Sequence, residues 1–343
     1  MPYGTLALDA ISTSGNLAIT GNTVTTGALV ASNMPGRNRL INGAMMVDQR
    51  NSGASQTILS SATTVTYTVD RWYAYSTGAN VTGQQVTGSV SNTYRYRFTG
   101  AAGVTGIGFG QRIEALNSAD LAGTTATLSV DLANSVLTTV TWTAFYANTA
   151  NTFGNIGAPT RTQIATGTFS VTSTVARYST QIAVPSAATT GIDIVFSVGA
   201  QTSGTWTVGN AQFEAGAFAT PFERRFIGQE QLLCYRYFLN MNGTTNPYQP
   251  LAYCLLYSTT SGTWIMHLPC TMRIVPTITT SGTLYVQPYN IAVSSLAGPY
   301  SQVGTILEGD FTLVSSTTSG TSGLLRWSNI ATGSRSFNIN AEL

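Results

Sequence analysis

Few residues in this chain are suited to catalysis. His267 is the single histidine among 343 residues, so a Ser-His-Asp hydrolase would have to use it. It stands between Met266 and Leu268 in a stretch that reads as a strand, with no nucleophile-elbow motif beside it. Metal binding meets the same shortage of ligands. Cys234, Cys254 and Cys270 lack zinc-ligand spacing and read as free core thiols. Two carboxylates roughly 5–10 Å apart would serve glycoside cleavage, and Asp48, Asp70, Glu114, Asp131 and Asp193 are available. Asp131 and Asp193, however, alternate with apolar residues and read as solvent-facing. The sequence therefore predicts no catalytic residue and no enzyme.

Sugar recognition asks for other residues: an aromatic face against the C–H side of a ring, with polar side chains on the hydroxyls. Tyr285, Tyr289 and Tyr300 fall in a loop-rich stretch between Leu284 and Gln302, and Trp327 follows Arg326. These five are the candidate ligand-binding residues. Each aromatic also reads as a core residue whose polar tip is hydrogen-bonded, and that alternative stays open. Trp72, Trp142 and Trp206 sit in patterned strands and read as core.

Composition narrows the partners. Charged residues make up 8% of the chain, the formal net charge is +2, and every basic residue is an arginine. With no basic run, nucleic acid is not an expected partner. The opening MPYGTLALDA has neither a basic nor a long apolar region, so it does not read as a secretory signal. No apolar run is long enough to span a bilayer, and no membrane insertion is expected. Apolar residues reach 43% and alternate with polar ones, the mark of folded β structure rather than disorder.

Four segments follow. Residues 1–35 contain three six-residue units opened by Gly15, Gly21 and Gly27, read as a short β repeat that needs a partner. Residues 36–222 read as all-β, with alternating runs such as Tyr94–Phe98, Ala126–Leu132 and Ile192–Val198, the pattern of a sandwich. Residues 223–240 read as the one helix, started by Pro221 and Glu223, with Leu232, Leu233, Arg236 and Tyr237 at helical spacing. It reads either as an ordinary helix connecting two domains or as a joint between copies of the chain, with Ile227, Leu232 and Tyr235 as the candidate contacts. Residues 241–343 return to β, with Leu251, Tyr253, Leu255 and Tyr257 expected to share a face, as Trp264, Met266 and Leu268 do. The closing Ser336–Leu343 alternates to its end and reads as a strand needing a partner.

Some motifs are more specific. Asn38-Arg-Leu-Ile-Asn-Gly, then Asp48-Gln-Arg and Asp70-Arg-Trp, resembles the opening of a virion domain of phage tail fibres, whose pattern is LINGDFxxWQR followed by YxxDRW. Met45-Met46-Val47 departs from it where that family often has an aromatic. Gly110 to Leu132 is similar to the core of jelly-roll carbohydrate-binding modules, and Ala211 to Arg225 to the end of the fibre domain. Met272 to Thr279 and Ser336 to Leu343 resemble segments of fibre C-terminal regions. The resemblance implies an all-β virion appendage. Its N-terminal repeat would anchor to other tail or capsid proteins, and a jelly-roll-like sandwich would lead through the helix to a C-terminal β-sandwich tip. The chain would be a homotrimer located on the virion, binding host-surface glycans. Jelly-roll modules often carry a structural Ca²⁺; no EF-hand-spaced acidic loop is present, so the metal is unassigned. Two alternatives stay open: a purely structural head-fibre or tail-connector protein, and a secreted carbohydrate-binding protein.

Overall fold

The computed structural model describes residues 35–61, 63–88, 93–242, 249–327 and 335–343. The Gly-opened hexads, with the anchor expected there, lie outside the described residues. The alternating runs form twelve strands: β1 (Gln56–Ile58), β2 (Thr66–Tyr67), β3 (Tyr73–Thr77), β4 (Val81–Thr87), β5 (Tyr94–Thr99) and β6 (Gly106–Ile113), then β7 (Thr125–Asn134), β8 (Thr139–Ala147), β9 (Arg161–Ser170), β10 (Ala176–Ala183), β11 (Ile192–Val198) and β12 (Thr205–Ala215). They make two antiparallel six-stranded sheets, ordered β1-β4-β5-β12-β7-β10 and β2-β3-β6-β11-β8-β9. Because side chains alternate across each strand, every second residue of both sheets enters one shared core. At its centre the Trp72 and Phe109 rings stack with centroids 4.8 Å apart, and Phe98 stacks on Trp206 at 5.0 Å.

The expected helix is shorter than the segment 223–240. It runs as α1 (Ile227–Tyr235) and has no side-chain cap. Pro221 and Glu223 do not start it. Glu223 instead accepts hydrogen bonds from the Gly36 and Asn38 backbone N–H groups at 2.5 and 2.7 Å. The helix ends early because Phe238 leaves it for β13 (Phe238–Asn242), which pairs in register with the final strand.

The remaining strands are β14 (Pro250–Leu256), β15 (Ser261–His267), β16 (Thr277–Ser281), β17 (Leu284–Gln287), β18 (Ile291–Leu296), β19 (Ser301–Val303), β20 (Ile306–Leu313), β21 (Ser322–Trp327) and β22 (Ser336–Asn340). Their arrangement corrects the expected C-terminal β-sandwich. The order β15-β14-β21-β17-β18-β20 closes on itself through β20–β15 pairing, giving a six-stranded barrel, with β13-β22-β16 as a separate small sheet. Closure leaves one interior, filled by Trp264, Trp327, Leu307, Phe311 and Leu325. Gly309 leaves room for the Trp264 ring, which would lie 2.5 Å from a Cβ there. The final strand is central in its small sheet, paired on both sides.

The motifs Asn38–Gly43, Asp48–Arg50 and Asp70–Trp72 build the joint between sandwich and barrel. Asn42 is fully buried. Its amide bonds Val47 and Asp70 carbonyls at 2.8 and 3.0 Å, and its own carbonyl accepts from the Trp72 indole at 3.1 Å. Gly43 is required by a close approach, since a Cβ would fall 2.1 Å from the Ala211 carbonyl oxygen. On the other side, Gln49 bonds both the Phe238 carbonyl (2.9 Å) and the Asn240 backbone N–H (3.2 Å). Glu342 binds Arg71 and, at 3.2 Å, Arg50. The guanidinium of Arg71 also lies 3.4 Å from the Tyr237 ring centroid, and that of Arg50 lies 3.6 Å from Phe238.

Asp70 sits fully buried in this joint, accepting from Gln49 and from Arg50 at 3.2 Å. Burial outweighs the Arg50 charge and the Gln49 N–H, and pushes its carboxyl up to about 7. The folded chain therefore holds this proton more tightly than the unfolded chain, whose carboxyl titrates near 3.8. The stability linked to Asp70 is fully present below that value and is lost as pH rises through about 7. Urea melts at pH 5 and pH 8 should give the higher wild-type midpoint at pH 5, with the difference reduced in Asp70→Asn. Identical pH profiles for the two proteins would contradict the assignment.

Candidate functional site

The outer face of the β2-β3-β6-β11-β8-β9 sheet has a composition unlike the core face. On β6, Gly106, Gly108 and Gly110 point outward at every second position, opposite Thr77, Tyr75 and Tyr73 of β3. The tyrosine rings lie over this stripe: a Cβ on Gly108 would meet the Tyr75 ring at 2.1 Å, and one on Gly110 the Tyr73 hydroxyl at 2.7 Å. Glycine here supplies space rather than an unusual φ. Tyr73 is fully buried, whereas Tyr75 is half-buried.

Across the sheet the stripe continues into hydroxyls. Val195 and Thr143, then Ser197 and Thr141, extend the rows that begin at Tyr73 and Tyr75. Thr143 and Thr166 face each other on neighbouring strands, with hydroxyl oxygens 3.0 Å apart. One end of the face is fixed by charge. Asp193 is wholly buried, bonded to the Tyr73 hydroxyl at 2.9 Å and paired with Arg161, whose guanidinium lies 4.1 Å from the Phe145 ring centroid. Burial raises the Asp193 carboxyl above its ordinary range, against Arg161 and Arg112, which lower it. Burial also raises the Tyr75 phenol; Arg161 lowers it and Asp193 raises it further. This arrangement can stack a ring and bond hydroxyls.

The carboxylates considered for glycoside cleavage are all held in structural contacts. Asp193 does not face solvent as its alternation suggested, because Tyr73 and Arg161 cover it. Asp48 accepts from the Asn51 and Gly53 backbone N–H groups, Glu114 pairs with Arg236 at 2.9 Å, and Asp131 pairs with Arg177 at 3.1 Å. His267 faces outward on β15. Among the described residues, no group of three or more His, Cys, Asp or Glu is placed to hold a metal. No helix among them is long and apolar enough to cross a membrane. Cys234 and Cys254 are buried free thiols, and Cys270 is a half-buried one.

Of the five candidate ligand residues, Tyr285 and Arg326 are register partners on β17 and β21, but the five do not form one exposed site. Trp327 is fully buried in the barrel and offers no ring face, a correction caused by closure of the sheet around it. Arg326 is also buried and donates to the Asn290 side chain at 2.7 Å. Tyr289 packs against the barrel core with its hydroxyl 2.9 Å from that of Thr321, and Tyr285 is half-buried on β17. Tyr300 alone among the five is well exposed, at 56%. Of the helix candidates, Ile227 and Leu232 are exposed and Tyr235 is half-buried; Phe226 beside them is 88% exposed. The sandwich face was not singled out from the sequence, although the alternating glycines of Gly106-Ile-Gly-Phe-Gly carried a signal: three positions on one strand face ceded to a neighbour's side chains.

No protein-family model matches the chain, and no curated protein does. Similar solved structures cover about half of it. The enzymatically active domain of tailspike protein 4 from bacteriophage CBA120 aligns with 52% of this chain and 21% of its own, at 16% identity and a TM-score of 0.34. A family 11 carbohydrate-binding module of a cellulosomal cellulase from Clostridium thermocellum aligns with 46% of this chain and 99% of its own, at 15% identity and a TM-score of 0.30. The xylan-binding domain of Xyn10C from Paenibacillus barcinonensis covers 49% and 99% at 11% identity and a TM-score of 0.27.

The two glycines separate two kinds of strain. Tyr75 can swing outward, so Gly108→Ala should cost roughly 1 kcal/mol or less while displacing the ring. Gly110→Ala meets the Ile194 carbonyl oxygen at 2.8 Å as well as Tyr73, which is anchored on Asp193. It should destabilise more, and chemical denaturation of both variants measures the difference. Equal losses would show that Tyr75 is as firmly held as Tyr73.

Proposed function

We propose that this protein is a non-catalytic glycan-binding protein whose sandwich face, centred on Tyr75, receives a saccharide. The observation that carries the reading is the half-buried Tyr75 ring resting on Gly108 next to the hydroxyl rows of Thr141, Thr143 and Ser197. A tyrosine ring matches the apolar C–H side of a pyranose, and threonine and serine hydroxyls both donate and accept toward sugar hydroxyls. The buried Asp193–Arg161 pair fixes the end of the platform without demanding charge from the ligand. A neutral saccharide fits that chemistry best.

In this reading the protein belongs to a virion appendage, as its Asn38–Gly43 and Asp70–Trp72 motifs suggest, and adheres to a host-surface glycan. Copies of the chain meet on the exposed Phe226, Ile227 and Leu232 beside Tyr235 as a trimer. Weak single sites then act together, with avidity exceeding one-site affinity by roughly 10²–10⁴ where geometry permits. The other reading, a connector that binds no glycan, predicts an inert face.

A glycan array probed with the full chain should reveal neutral oligosaccharide ligands. Tyr75→Ala should weaken binding of any such ligand at least roughly tenfold, the equivalent of about 1.4 kcal/mol, with the fold intact by circular dichroism. Unaltered binding in that variant would move the ligand elsewhere, and an array without ligands would favour the connector.

A further inference from the structure

The barrel carries a second surface of different chemistry. A bulge between Pro250 and Ala252 shifts the alternation of β14, so Leu251 turns inward while Tyr253 and Leu255 face out. Tyr253, 69% exposed, pairs directly with Ile265 of β15, which pairs in turn with Glu308 of β20. Hollows of about 410 and 290 Å³ flank the Tyr253–Ile265 pair. Tyr253, Leu255, Thr263, Ile265 and Glu308 line the smaller one. Tyr300 joins the same surface, since its backbone N–H bonds the Glu308 carbonyl at 3.1 Å. Desolvation, then the neighbouring Glu308 and Asp310, raise its phenol above the ordinary value.

Charge sets this surface apart from the sandwich platform. Glu308 and Asp310 point outward from alternate positions of β20, and neither forms an ion pair among the described residues. The Asp310 carboxylate accepts the Thr263 hydroxyl at 3.0 Å. His267 lines the larger hollow, Cys254 lines the smaller one, and Arg326 pairs with Pro250 at the far side of the larger hollow, held by Asn290. Exposed aromatic and aliphatic surface beside two carboxylates without a cation is complementary to a ligand with an apolar ring face and a positive charge.

We propose that this barrel surface binds an amino saccharide bearing a free ammonium group. Tyr253 takes the ring face, Glu308 takes the ammonium, and Asp310 with Thr263 takes a neighbouring hydroxyl. A basic peptide is the less fitting occupant. Strand addition needs a free sheet edge, and among the described residues the barrel leaves only that of the three-residue β19. The site is separate from the Tyr75 platform and stands whether or not that platform binds.

Calorimetric titration of the full chain with a glucosamine tetramer, its fully N-acetylated counterpart and tetralysine tests the assignment. The free-amine tetramer should bind at least tenfold more tightly than the acetylated one and than tetralysine, and its binding should weaken with added salt. Glu308→Gln with Asp310→Asn, and separately Tyr253→Ala, should abolish the preference, whereas Tyr75→Ala should leave it unchanged. Equal binding of amine and acetylated forms overturns the charge assignment. Tighter binding of tetralysine replaces the saccharide with a basic peptide, and failure of the amine tetramer to bind overturns the proposal. The comparison among the three ligands uses wild-type protein and stands even if a variant misfolds.

Discussion

Arg71 is a guanidinium with almost no access to water, and the placement of both halves of the molecule depends on how that charge is compensated. A buried cation without a partner is severely penalised, and a well-placed carboxylate with further hydrogen bonds offsets the cost of dehydration. Glu342 supplies the carboxylate, the Arg112 carbonyl accepts from Arg71 at 2.6 Å, and the Tyr237 ring covers the guanidinium plane. These partners come from three distant parts of the chain. Arg71 therefore reaches its compensated state only when the sandwich, the segment after α1 and the end of β22 have come together. Desolvation here acts as a folding condition that couples the barrel to the sandwich.

The joint also orients the two candidate binding surfaces. Arg112 contacts the Leu343 backbone oxygen at 2.6 Å and Gly154 at 3.0 Å, and its guanidinium lies 5.1 Å from the Tyr73 ring centroid. Tyr73 in turn holds Asp193, the fixed end of the sandwich platform. A continuous set of polar contacts thus runs from the end of the chain to the edge of the Tyr75 surface. The barrel's outward Tyr253–Glu308 surface is built on strands whose inner faces pack around Trp264. Both surfaces rest on rigid β structure, which lowers the ordering cost of binding.

Much of the β architecture was legible in the sequence because alternation reports directly on which strand face is buried. The apolar positions Ala126, Leu128, Val130 and Leu132, and Ile192, Ile194, Phe196 and Val198, enter the core as read, and Trp72, Trp142 and Trp206 are core residues. Local patterns could not show long-range closure. Trp327 alternates like any strand aromatic, and only the β20–β15 pairing reveals that it lies inside a barrel. The helix was overextended because Phe238 and Leu239 suit either state, and their pairing with Asn340 and Ile339, distant in sequence, decides for strand. Asp193 misled for a related reason: outward on its strand is not exposed when Tyr73 and Arg161 cover it. The joint motifs were visible as motifs, but their work as an interface depended on residues some 270 positions away, where Arg71 finds Glu342.

The coupling is tested most directly by hydrogen exchange on the wild type and Glu342→Gln, following two amides: that of Asn240, which bonds Gln49 across the joint, and that of Ala341, which bonds the Tyr237 carbonyl beside it. In the wild type these amides should exchange only with global unfolding, at the same free energy as the β7 and β12 core. In Glu342→Gln they should exchange through a separate, lower-energy opening, with the joint weakened by roughly 3 kcal/mol. Fast exchange at both amides in the wild type, or unchanged protection in the variant, would contradict the claim that the buried Arg71–Glu342 contact holds the two halves as one unit.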